Sequence, residues 1–179
     1  MGLIRALKVK SETYHMHVHA LLGLLTSLII YKIYEGSDFS NLMILGVAAN
    51  ILPDIDHLFF IFIYGSKTDY SKVIKKYLRK HQLKTLVTFI KQNHKLNTSV
   101  YSHNIATVLL VCIGYMYFGY SKDNPYFSTF FLSWMIHYLY DIFEDLMFFG
   151  KLNRNWLLKF DRSFLLFENF IHKDKNIKL

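Results

Sequence analysis

The stretch Leu52-Pro53-Asp54-Ile55-Asp56-His57 places two carboxylates and an imidazole within four positions, directly after an apolar run ending Ala48-Ala49-Asn50-Ile51. A second grouping lies in WMIHYLYDIFEDLMFF, residues 134–149, which carries His137, Asp141, Glu144 and Asp145. Carboxylates inside such a run are costly in lipid or in a dry core unless a cation meets them. No Lys or Arg lies between Lys122 and Lys151 to serve, and three close carboxylates repel one another. A divalent ion offsets that repulsion, and imidazole with carboxylate suits zinc or a similar first-row ion. The single Cys112 sits in an apolar stretch and supports neither a disulfide framework nor a Cys-type zinc site. Any metal therefore rests on His and carboxylates.

Spacing adds to residue type. Residues four apart share a helical face, so His137 and Asp141 project together, and Glu144 and Asp145 extend that stripe by about one turn. Glu144 and Asp145 read equally well as the point where the helix emerges into water. Asp54 and Asp56, taken alone, read as caps of a turn after Pro53. His15, His17, His81 and His172 are expected to be structural or solvated. In helical geometry His15 shares the face of His19, while His17 points away.

The elements that must position these groups follow from the charges. No Asp, Glu, Lys or Arg occurs between Glu12 and Lys32, from Phe39 to Pro53, from Asn97 to Ser121, or from Asn124 to Tyr140. These are four candidate helices. A membrane span needs about 20 residues, so the second is short unless it continues past LPDIDH into the uncharged Leu58–Ser66, and the third is the best candidate. Ser37-Asp38 and Asn124-Pro125 supply helix-start signals for the second and fourth. With 53% hydrophobic, 17% aromatic and only 19% charged residues, the expected fold class is all-α, a membrane-embedded bundle of about four apolar helices in a single domain over 1–179. A soluble domain of thoroughly buried helices is the alternative.

Basic residues accumulate in cytoplasmic loops. If both termini are cytoplasmic, the outer loops, Lys32–Asp38 and Lys122–Asp123, hold only two of the 21 Lys and Arg. Lys32-Ile33-Tyr34-Glu35 after the first apolar segment is not a small-residue cleavage pattern, so no cleaved signal is expected. In this topology His19, Asp54, Asp56, His57, His103, His137 and Asp141 all lie toward the inner side, where one polar centre can collect them.

HALLGLL from His19, LPDIDH from Leu52, YSHN from Tyr101 and HYLYD from His137 together resemble the motifs of membrane-bound metal-dependent hydrolases, a family similar to the zinc-dependent phospholipases C. The resemblance implies metal-ligand roles for His137, Asp141 and Asp54 or Asp56, with His19 and His103 at the other ligand positions. It departs from the family at His94-Lys95-Leu96, where His-Arg-Gly is usual, and at Glu168 and His172, which come in reverse order for a His-x3-Glu motif. One or two ions are thus expected instead of three.

The expected activity is hydrolysis by metal-activated water, with a lipid head-group phosphodiester as the substrate class the resemblance favours. Asp56 or Asp145 is the expected proton acceptor. Lys67–Lys95 carries nine Lys or Arg against one Asp, a pattern that suits either a helix on an anionic membrane surface or a solvated basic face. Membrane lipid and divalent ions are the expected partners. No nucleic-acid reader, Gly-rich nucleotide loop or Gly-x-Ser-x-Gly elbow is present. The main alternative is a non-enzymatic membrane protein that binds or transports divalent cations; a structural helical protein whose polar groups merely pair is the third.

Overall fold

The computed structural model describes residues 2–93, 100–121 and 123–156. Among these every regular element is helical, as composition and charge spacing predict. Helix α1, Gly2–Ile33, breaks at Tyr14, whose φ of −109° and ψ of 16° are not helical. The break divides the charged N-terminal turns from the apolar Thr13–Ile33.

Asp38 starts α2, Phe39–Ile51. Its carboxylate accepts from the N–H groups of Ser40 and Asn41 at 2.9 and 3.2 Å, satisfying donors that the first turn leaves open. Pro53 cannot donate to the helical ladder, and the chain tightens into a 3-10 turn over Leu52–Asp54. It then continues through α3, Ile55–Phe59, and a π-helical turn, Phe60–Tyr64. The helical run Phe39–Tyr64 is thereby 26 residues long, so the extension past LPDIDH is realised.

Two shorter helices follow, α4 over Asp69–Arg79 and α5 over Leu83–Asn93. Helix α6, Ile105–Gly114, runs on as a π-helical segment Tyr115–Tyr120. It begins later than its uncharged stretch because Asn104 is extended (φ −140°, ψ 162°) and caps the helix, accepting from Thr107 N–H at 3.0 Å. The third stretch, expected to be the best span, is therefore a shorter apolar helix, and Thr13–Ile33 and Phe39–Tyr64 have the length and apolarity to cross a membrane. Helix α7, Pro125–Glu144, starts where expected: Asn124 accepts from Tyr126 and Phe127 N–H groups, and Pro125 occupies the first turn.

The described residues divide into two compact units, one of residues up to Ile55 with Ser102–Leu152, the other of residues between Asp56 and Tyr101 with 153–156. In the first, α1, α2 and α7 pack on one another, and α6 packs on α7. The α1–α2 approach is close. A Cβ on Gly23 would lie 2.5 Å from Gly46 O, and one on Gly46 would lie 2.1 Å from Ser27 Oγ. Ser27 uses the closeness, donating its hydroxyl near Leu42 O at 2.7 Å and Gly23 O at 2.9 Å. Small residues at the crossing and hydroxyls bonded within it are how helices pack in lipid.

Burial in this unit is reversed from that of a water-soluble bundle. His19, Thr26, Ser27, Asn50, Ser128, Thr129 and Ser133 are buried, whereas Ile44 is 71% exposed and Leu110 67%. An outer face of Leu, Ile and Phe over polar interior contacts needs an apolar solvent. The chain is a helical membrane protein.

The second unit has its own core of Phe60, Ile61, Ile74, Leu86 and Phe89. The basic segment, which in sequence suits either a membrane-surface helix or a solvated basic face, forms two helices, because His81 takes a left-handed φ of 54° between α4 and α5. Their apolar faces meet each other and the Phe60–Tyr64 turn. Tyr70 is partly buried against this core, and the desolvation pushes its pKa up to about 12.

Candidate metal centre

The polar residues of the first unit converge because each helix presents one at the right register. His15 and His19 lie one turn apart on α1, with ring centroids 4.4 Å apart. His137 and Asp141 repeat that spacing on α7, His137 Nε2 lying 3.4 Å from Asp141 Oδ2. Asp54 is carried by the 3-10 turn that Pro53 enforces. His103 immediately precedes the Asn104 cap of α6.

Each carboxylate turns its two oxygens to different imidazoles. On one face, Asp141 Oδ2 lies 3.1 Å from His103 Nε2 and 3.4 Å from His137 Nε2. Those two nitrogens are 3.2 Å apart, and Asp54 Oδ1 is 3.9 Å from each. On the other face, Asp141 Oδ1 lies 3.5 Å from His19 Nε2 and 3.9 Å from His15 Nε2. Asp54 Oδ2 is 3.9 Å from that same His15 nitrogen. Two ligand atoms each about 2.1 Å from a tetrahedral ion stand about 3.4 Å apart. The observed separations straddle that value.

Hydrogen bonds behind the imidazoles fix which nitrogen faces the centre. Asn50 Nδ2 donates to Ser133 O at 2.7 Å; a carbonyl can only accept, so Asn50 Oδ1 is the atom turned to His19. His19 Nδ1–H donates to it at 3.0 Å, leaving Nε2 with a lone pair aimed at the carboxylates. Ser102 Oγ donates to Pro53 O at 3.3 Å and stands 2.8 Å from His103 Nδ1. His103 Nδ1–H thus donates to Ser102, and Nε2 again faces inward. Partners of this kind hold metal-ligating histidines in the required tautomer.

Lone pairs directed at one another in a buried place repel unless a cation lies between them. His19 Nε2 and Asp141 Oδ1 are buried, face each other at 3.5 Å, and have no hydrogen-bond partner among the described residues. The donor set of imidazoles and carboxylates fits a first-row divalent ion.

Of the residues singled out in sequence, the structure brings His19, Asp54, His103, His137 and Asp141 together. Asp56 belongs to the second unit, where Tyr64 Oη donates to its carboxylate at 2.7 Å. Asp145 and Glu144 are buried in the first unit, at 2% and 1% exposure, and do not mark emergence into water in this packing. Glu144 accepts a hydrogen bond from Ser11 and lies 3.7 Å from His15 Nδ1. His15, read as structural or solvated, is in the cluster, while His17 is exposed as its register predicts. Asn50 was legible only as a polar residue ending an apolar run. His94, Glu168 and His172 lie outside the described residues.

A helical membrane protein with a buried His and carboxylate centre is the class that fold and site define. A family model, that of the YdjM inner membrane proteins, matches residues 15–150, and the chain belongs to that family. This corrects the resemblance drawn from the motifs: the matching family is not that of the phospholipase C-like hydrolases. The chain matches no curated protein and no solved structure.

Proposed function

We propose that the protein is a membrane-embedded, divalent-metal-dependent hydrolase. The observation that carries this reading is the pair His19 Nε2 and Asp141 Oδ1, buried, 3.5 Å apart and without hydrogen bonds among the described residues. A divalent ion held there by His19 and Asp141 would supply Lewis acidity, toward a water and toward an electrophilic oxygen of the substrate. The protein's own part is to orient and to move a proton. Asn50 and Ser102 hold the imidazoles of His19 and His103. Glu144 lies in a group with His15 and Asp141 whose ligand atoms are all within 4.8 Å, and it meets the role of proton acceptor better than Asp56 or Asp145, which the sequence favours.

An amphiphilic substrate fits the surroundings. An open cavity of about 360 Å³ is lined by Leu7, Val18, Phe143 and Met147 together with Lys10 and Tyr140. The Tyr140 ring touches His19, at 5.2 Å between centroids. An apolar chain in this cavity would run past the centre, with Lys10 available to a phosphate, consistent with a lipid phosphodiester.

The test is hydrolysis of a soluble phosphodiester and of phospholipid in mixed micelles by the purified full chain. Glu144→Gln is expected to keep its metal and lose activity on the order of 10²-fold or more. His81→Asn, on the α4–α5 turn, should be unchanged. Metal-loaded protein without activity toward either substrate would reject the hydrolase in favour of a metal-binding or transport role.

A further inference from the structure

The two faces of the cluster differ in composition only by their histidines. Asp54 and Asp141 contribute to both, each with a different oxygen to each side. Four ring nitrogens and four carboxylate oxygens point inward, twice the complement of one tetrahedral ion. One ion held by His103, His137 and Asp141 Oδ2 would leave His19 Nε2 and Asp141 Oδ1 opposed at 3.5 Å in a buried place. Occupying only the other face leaves His103 Nε2 and His137 Nε2 at 3.2 Å, with the carboxylate 3.1 Å from the former.

We infer that the centre holds two divalent ions bridged by the carboxylates of Asp54 and Asp141, one ion on His103 and His137, the other on His15 and His19. The inference rests on the metal-centre reading above and deepens it. Each ion then has two imidazole nitrogens and one oxygen from each carboxylate, so every inward atom has a partner. Separations of about 3.5–4 Å between ions are usual in two-metal hydrolytic sites, and a carboxylate that binds through both oxygens spans that distance.

Charge gives the site a substrate class. Two ions bring four positive charges and the bridging carboxylates two negative ones; with neutral imidazoles and Glu144 counted, a net positive charge remains in a low-dielectric setting. An anionic oxygen, as of a phosphate ester, can lie across both ions and offset it. His15 is the residue that distinguishes this arrangement from a single-ion centre. It has no role on the His103–His137 face.

The experiment uses the full chain in detergent, stripped with a chelator and reloaded with Zn(II) or Mn(II). Bound metal per chain is counted by elemental mass spectrometry, and the Mn(II) form is examined by electron paramagnetic resonance. Two ions per chain and an exchange-coupled Mn(II) spectrum are expected. His15→Ala should fall to one ion per chain with an uncoupled Mn(II) spectrum, while circular dichroism stays that of a folded helical protein. His137→Ala should likewise lose one ion, from the other face. Saturation at one ion with no change in His15→Ala would overturn the two-ion centre and leave a single-metal hydrolase standing. Two ions without exchange coupling would overturn the bridging. No uptake of either metal would overturn the metal centre itself.

Discussion

Asn50 governs His19 through a chain of constraints. Its amide must turn N–H toward Ser133 O, so its oxygen meets His19 Nδ1 and the ligand lone pair is left on Nε2. Asn50→Leu keeps the size and removes both hydrogen bonds, freeing the His19 ring to adopt either tautomer. Loss of such a partner weakens metal binding by about 10–100-fold; competition with a chromogenic chelator should show a drop of that order, and unchanged affinity would remove Asn50 from the account. The cost of burying charge makes Asp54, Asp141 and, by its matching spacing, His137 legible in the sequence, whereas His19 and His103 stand out only through a motif resemblance and their place toward the inner side. His15 is only half legible: its four-residue spacing puts it on the face of His19, but a lone histidine near the start of an apolar run reads as structural or solvated until the carboxylates of other helices are seen beside it. Asn50 is hidden for another reason: its partners are 31 and 83 residues away, and no local pattern encodes a contact across helices.

Local chemistry encodes where helices start far better than how they cross. Asp38 and Asn124 cap α2 and α7 as their sequences foretell, and Pro53 sets the turn that carries Asp54. The α4–α5 turn has no Gly or Pro to announce it. His81 supplies the left-handed residue, and so the break in the basic segment does not show in sequence. At the α1–α2 crossing, Gly46 permits the approach that brings His19 to Asn50. A methyl on Gly46 would meet Ser27 Oγ and, at 2.6 Å, the Gly23 carbonyl, which is backbone and cannot swing away. Gly46→Ala should therefore separate the helices and destabilise the fold by about 1–3 kcal/mol, visible as a lower midpoint of thermal unfolding in detergent and as reduced metal affinity. An unchanged midpoint would show that the crossing tolerates a side chain. Asp38→Ala, which removes only a cap, should cost about 1 kcal/mol and leave metal affinity intact.

At the scale of the whole molecule, the first unit's apolar outer face over polar interior contacts unites the membrane setting with the centre: lipid excludes water from that face, and polar groups that lipid cannot tolerate are buried among α1, α2 and α7. The charge distribution predicts cytoplasmic termini and a cytoplasmic basic segment. A cysteine at Lys80, in a chain with Cys112 replaced by Ala, should resist an impermeant thiol reagent in intact cells and react after lysis; labelling from outside would reverse the topology. The buried cluster is proposed to hold metal. The most direct test is the metal content of purified full-length protein beside that of Asp141→Asn, whose amide cannot supply the charge of two ligating oxygens. Divalent metal bound in the wild type and largely lost from a folded Asp141→Asn variant is the predicted result. Wild-type protein that takes up no divalent metal, or an Asp141→Asn variant that keeps all of it, would contradict the account.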